Sequence, residues 1–407
     1  MNVPEWKQTL RKEILETLDY GREMTDEEVF AQIDEVILQK DELRLLPVGV
    51  SHQLRNDLFD SLRRLDVLQG LLEDSSITEI MINGPDRIFI EREGRLSKLE
   101  EGFESPEKLK DVIQQIVAGC NRVVNEASPI VDARLAGGER VCIVLSPIAL
   151  NGPIVTIRRF PDTPITMEGL IRYESVTPQV AEFLRRLVTA GYNIFISGGT
   201  GSGKTTFLNV LSGFIPKDQR VITIEDSAEL QLQGIENLVR LETRNSNVEG
   251  CREITIRDLI KASLRMRPDR IVVGEVRGGE AADMMQCLNT GHEGSMSTGH
   301  ANSAKDMLAR LENMILMAME IPLEAIRRQI ASGIDIIVHL GRLRDKSRRV
   351  LEIVEVVGYE KQEYCLNTLY QFEEEGEDAD GRVQGSLQEK AAMVRTGKLK
   401  AAGLKEI

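Results

Sequence analysis

The first 70 residues carry apolar side chains at the spacing of amphipathic helices. Leu10, Ile14 and Leu18 follow one another at intervals of four, and mostly charged or polar residues fill the positions between them. This spacing places the apolar side chains on one face of a helix, where they can pack against a neighbouring element. The pattern therefore predicts an N-terminal helical region over residues 1–70.

Beyond that region the apolar period falls to about two, which is typical of β-strands. Ile80–Ile82 and Ile88–Ile90 flank the turn sequence Asn83–Asp86, and together they predict a hairpin. We predict a small α+β domain over residues 71–160. Its other expected elements are a helix over 106–118 and strands over 140–145 and 153–157.

Residues 161–177 separate this domain from the next. The stretch is largely polar and holds Pro161, Pro164 and Gly169, and Pro178 follows it directly. Proline and glycine at this density interrupt helices and strands. We therefore predict a linker between two folded domains.

Residues 178–370 alternate between helical and strand-like segments. Such alternation predicts an α/β fold, with a mostly parallel sheet and helices on its faces. The predicted helices span 178–190, 204–212, 256–266 and 280–290, and the predicted strands span 193–197, 221–225, 238–241, 271–273 and 295–298. In the remaining segment, residues 371–407, we predict an acidic solvated loop over Glu373–Asp380 and a last helix over 387–399.

The composition is that of a globular protein, with 42% apolar and 29% charged residues. The net charge of −14 disfavours nucleic acid as a partner, because phosphate backbones are bound largely by cationic surfaces. No apolar run reaches the ~18 residues of a membrane span, and the N-terminus has no signal-peptide core. The five cysteines form no CxxC pair, so we expect them to be reduced and to bind no zinc. We expect a cytoplasmic protein that reaches a membrane only through partners.

The segment Gly198–Thr205 reads GGTGSGKT and matches the Walker A pattern G-x-x-x-x-G-K-[ST] in full. The apolar strand Ile194–Ile196 precedes it and an amphipathic helix follows, which is the context that the pattern needs. Glycines let backbone N–H groups turn toward phosphate oxygens, and the helix adds its positive N-terminal end. We expect Lys204 to reach the β- and γ-phosphates of ATP and Thr205 to coordinate Mg²⁺. The predicted nucleotide contacts are Gly198, Gly199, Thr200, Gly201, Ser202, Gly203, Lys204, Thr205 and Thr206.

Two predicted strands lead into acidic residues that suit ATP hydrolysis. Ile222–Ile224 runs into Glu225, and Ile271–Val273 is followed by Gly274 and Glu275, with glycine where many P-loop enzymes carry Asp. Phosphoryl transfer to water needs a group that anchors the metal and a group that directs the water, both at strand ends beside the phosphate-binding loop. We assign Glu275 to Mg²⁺ through water and Glu225 to the attacking water, and the opposite assignment stays open.

Two of the four histidines, His292 and His300, bracket the predicted strand 295–298. No third ligand accompanies them, so the spacing does not indicate a metal site. By spacing alone a structural role is favoured for each. The functional alternative is a sensor of the γ-phosphate at the end of the strand.

These segments together resemble the type II/type IV secretion-system ATPase superfamily. The order of four boxes is that of the family: GGTGSGKT (198–205), ITIEDSAEL (222–230), RPDRIVVGEVRGGEA (267–281) and TGHEGSMSTGHANSA (290–304). Its CpaF-type branch, which serves Flp (tight-adherence) pili, is similar in three further segments: ITEIMINGPDRIFIE (77–91), VDARLAGGERV (131–141) and PIVTIRRF (153–160). The four-cysteine zinc module of many type II members is absent from this sequence.

The resemblance implies a homo-hexameric ring built from a PAS-like N-terminal domain and a RecA-like C-terminal domain. It also implies a pilus or secretion platform protein of the inner membrane as partner. It raises the sensor role above the structural one for His300 and, more weakly, for His292. Arginines from the N-terminal side neutralise γ-phosphate charge in this family, and the matching positions are Arg134 and Arg140, with Arg158 or Arg159 as a third.

Two other functions stay open on the sequence. A RecA-like nucleic-acid translocase or helicase would show DNA-stimulated turnover, and the acidic balance disfavours it. A nucleotide-binding switch without turnover is opposed by Glu225 and Glu275. We therefore expect an ATP-hydrolysing hexameric motor that powers the assembly of a type IV-like Flp pilus or of a related secretion system, and the sequence leaves open whether it also drives retraction.

Overall fold

The computed structural model describes residues 3–17, 24–92, 94–120, 122–159, 164–244 and 252–405. The chain divides into two compact units, residues 1–162 and residues 163–407. Each unit has its own sheet and its own apolar core. Cys251 and residues 161–163 of the predicted linker lie outside the described residues.

The N-terminal unit opens with five helices, and the first four share a core that includes the buried Leu10, Ile33 and Leu54. The second helix begins at a capping box: the Thr25 hydroxyl accepts a hydrogen bond from the Glu28 N–H, and the Glu28 carboxylate accepts one from the Thr25 N–H. These bonds satisfy backbone donors that would otherwise be unpaired at the helix start. The helices are α1 (Val3–Thr17), α2 (Asp26–Leu38), α3 (Asp41–Arg44), α4 (Val48–Arg63) and α5 (Val67–Glu73).

A six-stranded antiparallel sheet completes this unit, in the order β3-β2-β1-β6-β5-β4. Alternate strand residues such as Ile80, Val141 and Ile157 are buried in one core with the apolar side of a single long helix. The side chains between them belong to the opposite face of the sheet. The elements are β1 (Ile77–Asn83), β2 (Ile88–Arg92), β3 (Arg95–Lys98), α6 (Pro106–Gly119), β4 (Ile130–Arg134), β5 (Arg140–Val144) and β6 (Ile154–Arg158).

The C-terminal unit is built on a nine-stranded mixed sheet in the order β15-β14-β13-β12-β7-β11-β10-β8-β9. The six strands from β12 to β9 run parallel, and β13, β14 and β15 are added antiparallel at one side. The strands are β7 (Ile194–Gly198), β8 (Val221–Glu225), β9 (Leu238–Glu242), β10 (Arg270–Val273), β11 (Met296–His300), β12 (Ile336–Arg342), β13 (Arg348–Glu360), β14 (Glu363–Glu377) and β15 (Val383–Glu389).

Helices cover both faces of this sheet, so its central strands are buried along almost their whole length. Ile194 and Ile196 of β7 belong to the core on one face, and Phe195 between them belongs to the core on the other. None of the helices among the described residues is long and apolar enough to cross a bilayer. The helices are α7 (Met167–Arg172), α8 (Pro178–Thr189), α9 (Lys204–Ser212), α10 (Ile256–Ser263), α11 (Glu280–Leu288), α12 (Ala304–Ala318), α13 (Leu323–Gly333) and α14 (Gly397–Ala401).

Part of the segment predicted to be a linker is helical. Helix α7 lies inside it, and Met167 and Leu170 are buried in the core of the C-terminal unit. The Thr166 hydroxyl caps the helix by accepting a hydrogen bond from the Gly169 N–H. Pro164 precedes this helix, Gly169 lies inside it and Pro178 begins α8. The linker between domains stays a prediction, and Met167–Arg172 within it is a packed helix.

The acidic run predicted to be a loop is, up to Glu377, the end of the 15-residue strand β14. Arg344 pairs with Glu374 at 2.6 Å and also with Glu377, and Lys390 pairs with Glu373. Because these cations offset the repulsion between neighbouring carboxylates, the strand continues through the acidic residues. The predicted loop is therefore wrong for these positions.

The predicted helix over 387–399 is wrong except at its end. Its first three positions belong to strand β15, and α14 begins only at Gly397. Between them, the fully buried carboxylate of Glu355 accepts hydrogen bonds from the N–H groups of Val394 and Arg395. These bonds to a distant side chain replace the local bonds that a helix would make.

Candidate active site

The phosphate loop, Gly198–Thr205, joins the central strand β7 to helix α9. Strand β7 lies between β12 and β11 and runs parallel to both, so the loop stands at the carboxyl edge of the sheet. Gly203 has a φ of 92°, a conformation that strains any residue with a side chain. This turn lets α9 begin at Lys204 and directs the first N–H groups of the helix toward the loop.

Lys204 is buried at the start of α9, with its ammonium against the loop. Its Nζ donates to the Gly199 carbonyl at 2.9 Å and lies 3.3 Å from Nδ1 of His300. His300 ends strand β11 and stands opposite Gly198 in the β7–β11 pair. Burial, followed by the charge of Lys204, lowers the pKa of His300. A neutral ring can accept a hydrogen bond from the ammonium through Nδ1.

Glu275 follows strand β10 and lies on the other side of His300. Its Oε1 is 2.9 Å from Nε2 of His300, but without hydrogen-bond geometry, and this buried oxygen has no hydrogen-bond partner among the described residues. Its Oε2 accepts from Arg277 at 2.7 Å, and Arg277 also pairs with Asp226 at 3.1 Å. Lys204, His300, Glu275, Arg277 and Asp226 thus form a continuous polar chain from the phosphate loop to the end of β8.

Glu225 ends strand β8 and is only 2% exposed. Its Oε2 accepts hydrogen bonds from the N–H groups of Glu229 at 2.7 Å and Leu230 at 2.8 Å, while its buried Oε1 has no partner among the described residues. Burial raises the pKa of Glu225 to about 7, although the two N–H donors oppose the shift. A carboxylate with this pKa can hold or release a proton near neutral pH, as a general base must.

The glycine at position 274 leaves room for Glu225. A Cβ added at Gly274 would lie 3.0 Å from Cγ of Glu225 and 3.5 Å from its Oε2. Gly274 and Glu225 are neighbours on the parallel strands β10 and β8, where the Gly274 N–H donates to the Ile224 carbonyl at 2.9 Å. The space that an Asp side chain at 274 would occupy is therefore taken by the carboxylate of Glu225 from the neighbouring strand.

The residues at this edge fit a magnesium–nucleotide complex. The buried Oε1 atoms of Glu225 and Glu275 have no hydrogen-bond partner in the part of the chain that the structure describes, and Thr205 offers a hydroxyl in the first turn of α9. Within the described part of the chain, no cluster of three or more His, Cys, Asp or Glu residues could hold a metal by itself. Mg²⁺ commonly binds through one or two carboxylates, several waters and the phosphates of a nucleotide. This donor set meets that requirement only when a nucleotide is present.

His292 does not belong to this site. It precedes strand β11, with Nδ1 3.3 Å from the Cys287 carbonyl and its own carbonyl accepting from the Ser295 hydroxyl. Strand β11 runs from Met296 to His300, roughly 13 Å at ~3.3 Å per residue. His292 therefore lies at the opposite end of β11 from the phosphate loop, and the structure does not bring it together with the other predicted site residues.

Three of the predicted arginines stand side by side in the N-terminal unit. Arg134 lies opposite Arg140 on β4 and β5, and Arg140 lies opposite Arg158 on β5 and β6. Directly opposed residues share one face of a sheet, and like charges placed so repel each other. Asp132, 3.7 Å from Arg140, and Glu79, directly opposite Arg158 on β1, offset part of the charge. We call Arg134, Arg140 and Arg158 the arginine row.

Arg159 serves a different purpose. Its N–H donates to the Thr78 carbonyl at 3.0 Å, and its guanidinium donates to the carbonyls of Asp74 and Ile77. These bonds fix the start of strand β1 to the end of β6. Of the two arginines that the sequence left as alternatives, Arg158 is the one that continues the row.

The sequence analysis missed three residues of the site in the C-terminal unit. Arg348 of β13 donates from Nε to the Gly201 carbonyl at 2.8 Å. Beneath the loop, the Ser197 hydroxyl lies 3.1 Å from Nδ1 of the buried His339, whose pKa is lowered by burial. Arg277 stands within one of the four boxes, so a signal for it was present. Arg348 and His339 are distant in sequence from the loop and carry no local signal.

Comparison with known proteins assigns most of the chain to the wider superfamily that the sequence resembles, and the CpaF-type branch stays a prediction. A family model described as "Type II/IV secretion system protein" matches residues 62–393. A putative conjugal transfer protein of Mycobacterium tuberculosis is 34% identical over 293 residues, which cover 70% of this chain and 83% of the relative. The type IV secretion system protein PtlH of Bordetella pertussis is 34% identical over 315 residues, covering 71% of this chain and 93% of the relative.

A solved structure supports the fold. The ATPase DotB of Legionella pneumophila superimposes with a TM-score of 0.51 at 21% sequence identity, covering 72% of this chain and 80% of that one. At this identity the likeness concerns the fold alone. It agrees with an α/β protein that has mixed sheets.

Proposed function

Because this chain belongs to the type II/IV secretion system protein family, we propose that it is a Mg²⁺-dependent ATPase that powers a secretion system or the assembly of a type IV-like pilus. The observation that carries the proposal is the contact chain from Lys204 through His300 to Glu275, at the carboxyl ends of adjacent parallel strands. A lysine that can bind phosphate and a carboxylate that can hold a metal are brought together there. Nucleotide hydrolysis requires both.

The residues of the C-terminal unit divide the work of hydrolysis. The phosphate loop binds the triphosphate through its N–H groups, and Lys204 exchanges its contact with the Gly199 carbonyl for the β- and γ-phosphates. Thr205 and Glu275 hold Mg²⁺, which offsets phosphate charge when it is bound. Glu225 orients the attacking water and accepts its proton, a role that its pKa of about 7 supports.

His300 links the lysine to the metal carboxylate. Its two ring nitrogens lie 3.3 Å from Nζ of Lys204 and 2.9 Å from Oε1 of Glu275. When a γ-phosphate draws Lys204 away, the ring loses one of these neighbours and is free to turn toward the phosphate. We propose that His300 senses the γ-phosphate in this way.

We further propose that the arginine row neutralises γ-phosphate charge in a homo-hexameric ring. The three guanidinium groups lie at directly opposed positions on one face of a sheet, where together they form a cationic surface. Charge on the transferred phosphoryl oxygens is stabilised by arginine in many nucleotide hydrolases. When one subunit closes around ATP, it would then move its neighbour in the ring as a rigid body.

The cellular role follows from the family rather than from the site. The relatives are named for conjugal transfer and type IV secretion, which supports a motor of this class acting on an inner-membrane platform protein. Within the class, the segments similar to CpaF-type proteins support the assembly of an Flp pilus. The net charge of −14 argues against the alternative of a nucleic-acid translocase.

The decisive experiment is MgATP turnover on oligomers separated by size. We expect turnover in the ring fraction, lowered about 10²-fold or more by Lys204→Ala because the lysine's contacts to the phosphates are lost. Turnover that survives in Lys204→Ala would contradict the site, and equal turnover in the monomer fraction would contradict the ring. Turnover that rises on addition of DNA would favour the translocase.

A further inference from the structure

Three polar side chains stand in line on one face of the C-terminal sheet, beside an apolar core. Phe195 of β7 and Ile337 of β12 belong to that core. Two residues further along the same strands come Ser197 and His339, which are directly opposed, and His339 is in turn opposed to Glu352 of β13. Residues two apart on a strand share a face, so all three lie on the side of this core. We call Ser197, His339 and Glu352 the polar row.

Two members of the polar row are buried. Ser197 is fully buried and His339 is 6% exposed, and the Ser197 hydroxyl lies 3.1 Å from Nδ1 of His339. Burial lowers the pKa of His339, although the nearby carboxylates of Glu352 and Asp306 oppose the shift. Burying polar groups is unfavourable unless hydrogen bonds compensate for the water they lose. The partners of these side chains therefore indicate what the polar row does.

Helix α12 begins on the polar row. The N–H of Ala304, the first residue of the helix, donates to the Glu352 carboxylate at 2.6 Å. The Ser197 hydroxyl donates, over a longer distance of 3.5 Å, to the carbonyl of Ser303, which precedes the helix. A carboxylate at this end of a helix also interacts favourably with the helix dipole. Both ends of the polar row thus hold the start of α12.

A close apolar contact fixes the first turn of α12 from another side. Met307 of this turn is fully buried, and a Cβ added at Gly299 of β11 would lie 2.9 Å from its Sδ. Gly299 pairs with Ser197 in the β11–β7 ladder. The helix therefore lies directly against the residue that precedes His300, and it cannot move closer without displacing the end of β11.

Only residues 301–303 separate His300, the last residue of β11, from the start of α12. So short a connection transmits a shift of the helix to the histidine. The His300 ring lies 3.3 Å from Nζ of Lys204 and 2.9 Å from Oε1 of Glu275, so a movement of about 1 Å would break one of these contacts. The place where α12 begins therefore determines whether His300 stands between the lysine and the carboxylate.

We propose that the polar row positions His300 for the γ-phosphate of a nucleotide bound at the phosphate loop. Ser197 and Glu352 hold the start of α12, and His339 lies between them on β12. The row acts through His300 and not by contact with the nucleotide, so its members are positioning residues. This role rests on the proposed function, because it takes the sensor role of His300 as given. It assigns a task to side chains of β7, β12 and β13 that none of the nucleotide-binding motifs accounts for.

The test compares two nucleotides that differ in the γ-phosphate. Dissociation constants of MgADP and of the magnesium complex of a non-hydrolysable ATP analogue are measured for the unmodified chain, Glu352→Leu, Ser197→Ala and His300→Ala. The first two substitutions are also combined with His300→Ala. Glu352→Gln is the conservative variant, since its amide oxygen can still accept from the Ala304 N–H. Gln371→Leu is the matched control: Gln371 lies directly opposite Glu352 on β14, and its replacement leaves the bond between Glu352 and Ala304 in place.

We expect Glu352→Leu to weaken binding of the ATP analogue about tenfold, the order of effect of losing a hydrogen bond to a charged group, and to leave MgADP affinity unchanged. Ser197→Ala should act in the same direction by a smaller factor, because it removes a single oxygen. Glu352→Gln and Gln371→Leu should bind both nucleotides normally. When His300 is already Ala, Glu352→Leu should cause no further loss, since the side chain through which the row acts is gone.

An equal loss of affinity for both nucleotides in Glu352→Leu, or a further loss in its combination with His300→Ala, would show that the row supports the fold and not His300. Unchanged affinity for the analogue in both Glu352→Leu and Ser197→Ala would overturn the inference as well. If Glu352→Leu does not fold, Ser197→Ala and its combination with His300→Ala decide the question. A loss in His300→Ala alone would leave the proposed function standing, whereas unchanged analogue affinity in His300→Ala would contradict the sensor role itself.

Discussion

Replacing Glu225 with Gln should remove a pH-dependent decrease in the free energy of unfolding. Burial raises the pKa of this carboxyl from 4.5 to about 7. The folded state therefore retains a proton that the unfolded state has lost, and the folded state becomes less stable as pH rises from 4.5 to 7. Above pH 7 the carboxyl is ionised in both states, so its contribution to the free energy of unfolding no longer changes with pH. Gln cannot ionise, so the variant lacks this part of the pH dependence.

The size of the effect follows from the same interval. Each pH unit between the two pKa values contributes roughly 1.4 kcal/mol, so the whole interval corresponds to ~3 kcal/mol. Gln keeps an oxygen to accept from the N–H groups of Glu229 and Leu230. Its amide replaces the buried Oε1 that has no partner, at a cost of about 1–3 kcal/mol. That cost is nearly the same at every pH and cancels in a comparison between pH values.

The assay is urea denaturation at pH 5 and at pH 8, followed by circular dichroism, for the unmodified chain and Glu225→Gln. The free energy of unfolding of the variant, relative to the unmodified chain, should rise by ~3 kcal/mol between the two pH values. All other titrating groups are common to both proteins and drop out of the difference. Parallel pH profiles would refute the raised pKa, and with it the idea that burial holds this carboxyl ready to accept a proton near pH 7.

Three further substitutions test the assigned roles. Glu275→Gln should keep MgATP affinity but lower kcat about 10²-fold or more, since the amide lacks the charge that holds the metal; normal turnover would reject the assignment. Arg140→Ala should also keep MgATP affinity and lower kcat, by up to ~10³-fold if the arginine row acts as arginine fingers do. Lost MgATP affinity with normal kcat would show that the row acts in nucleotide binding and not in hydrolysis. Gly274→Ala should displace Glu225, because the new Cβ would lie 3.0 Å from its Cγ, lowering kcat and costing about 1–3 kcal/mol of stability; unchanged kcat would mean that the position of Glu225 is not critical.

The centre of the C-terminal unit could be predicted from sequence because its signals are local. The predicted helix over 204–212 has the bounds of α9, and the predicted strand ending at Glu225 has the bounds of β8. Both elements follow from short runs of residues whose conformation is fixed by neighbours in the chain. Glycine-rich turns and apolar strands of this kind specify their structure within about ten residues.

The antiparallel side of the sheet could not be predicted in this way, because distant residues determine it. Glu373 and Glu374 lie in a strand only because Lys390 and Arg344 neutralise them. Residues 390–396 avoid a helix because Glu355 binds their backbone. None of these partners lies within the same local pattern, so composition alone favoured a loop and a helix.

The two histidines show the same limit within a single motif. Sequence spacing placed His292 and His300 at the two ends of one strand, but could not tell whether that strand lies next to the strand of the phosphate loop. The pairing of β11 with β7 decides it, since it sets His300 opposite Gly198. The arginine row likewise depends on the register of three strands, which no single segment of sequence contains.

Because Gly274 and Glu225 are in close contact, the residue type at one position restricts the residue type at the other. If position 274 carried the aspartate that other P-loop enzymes have there, its side chain would collide with the one at 225, so a chain can hold one arrangement or the other but not both. A search motif that demands an acid directly after the β10 strand would pass over this protein. The acidic groups are present at other positions: Glu275 lies one residue further along the chain, and Glu225 ends the neighbouring strand β8.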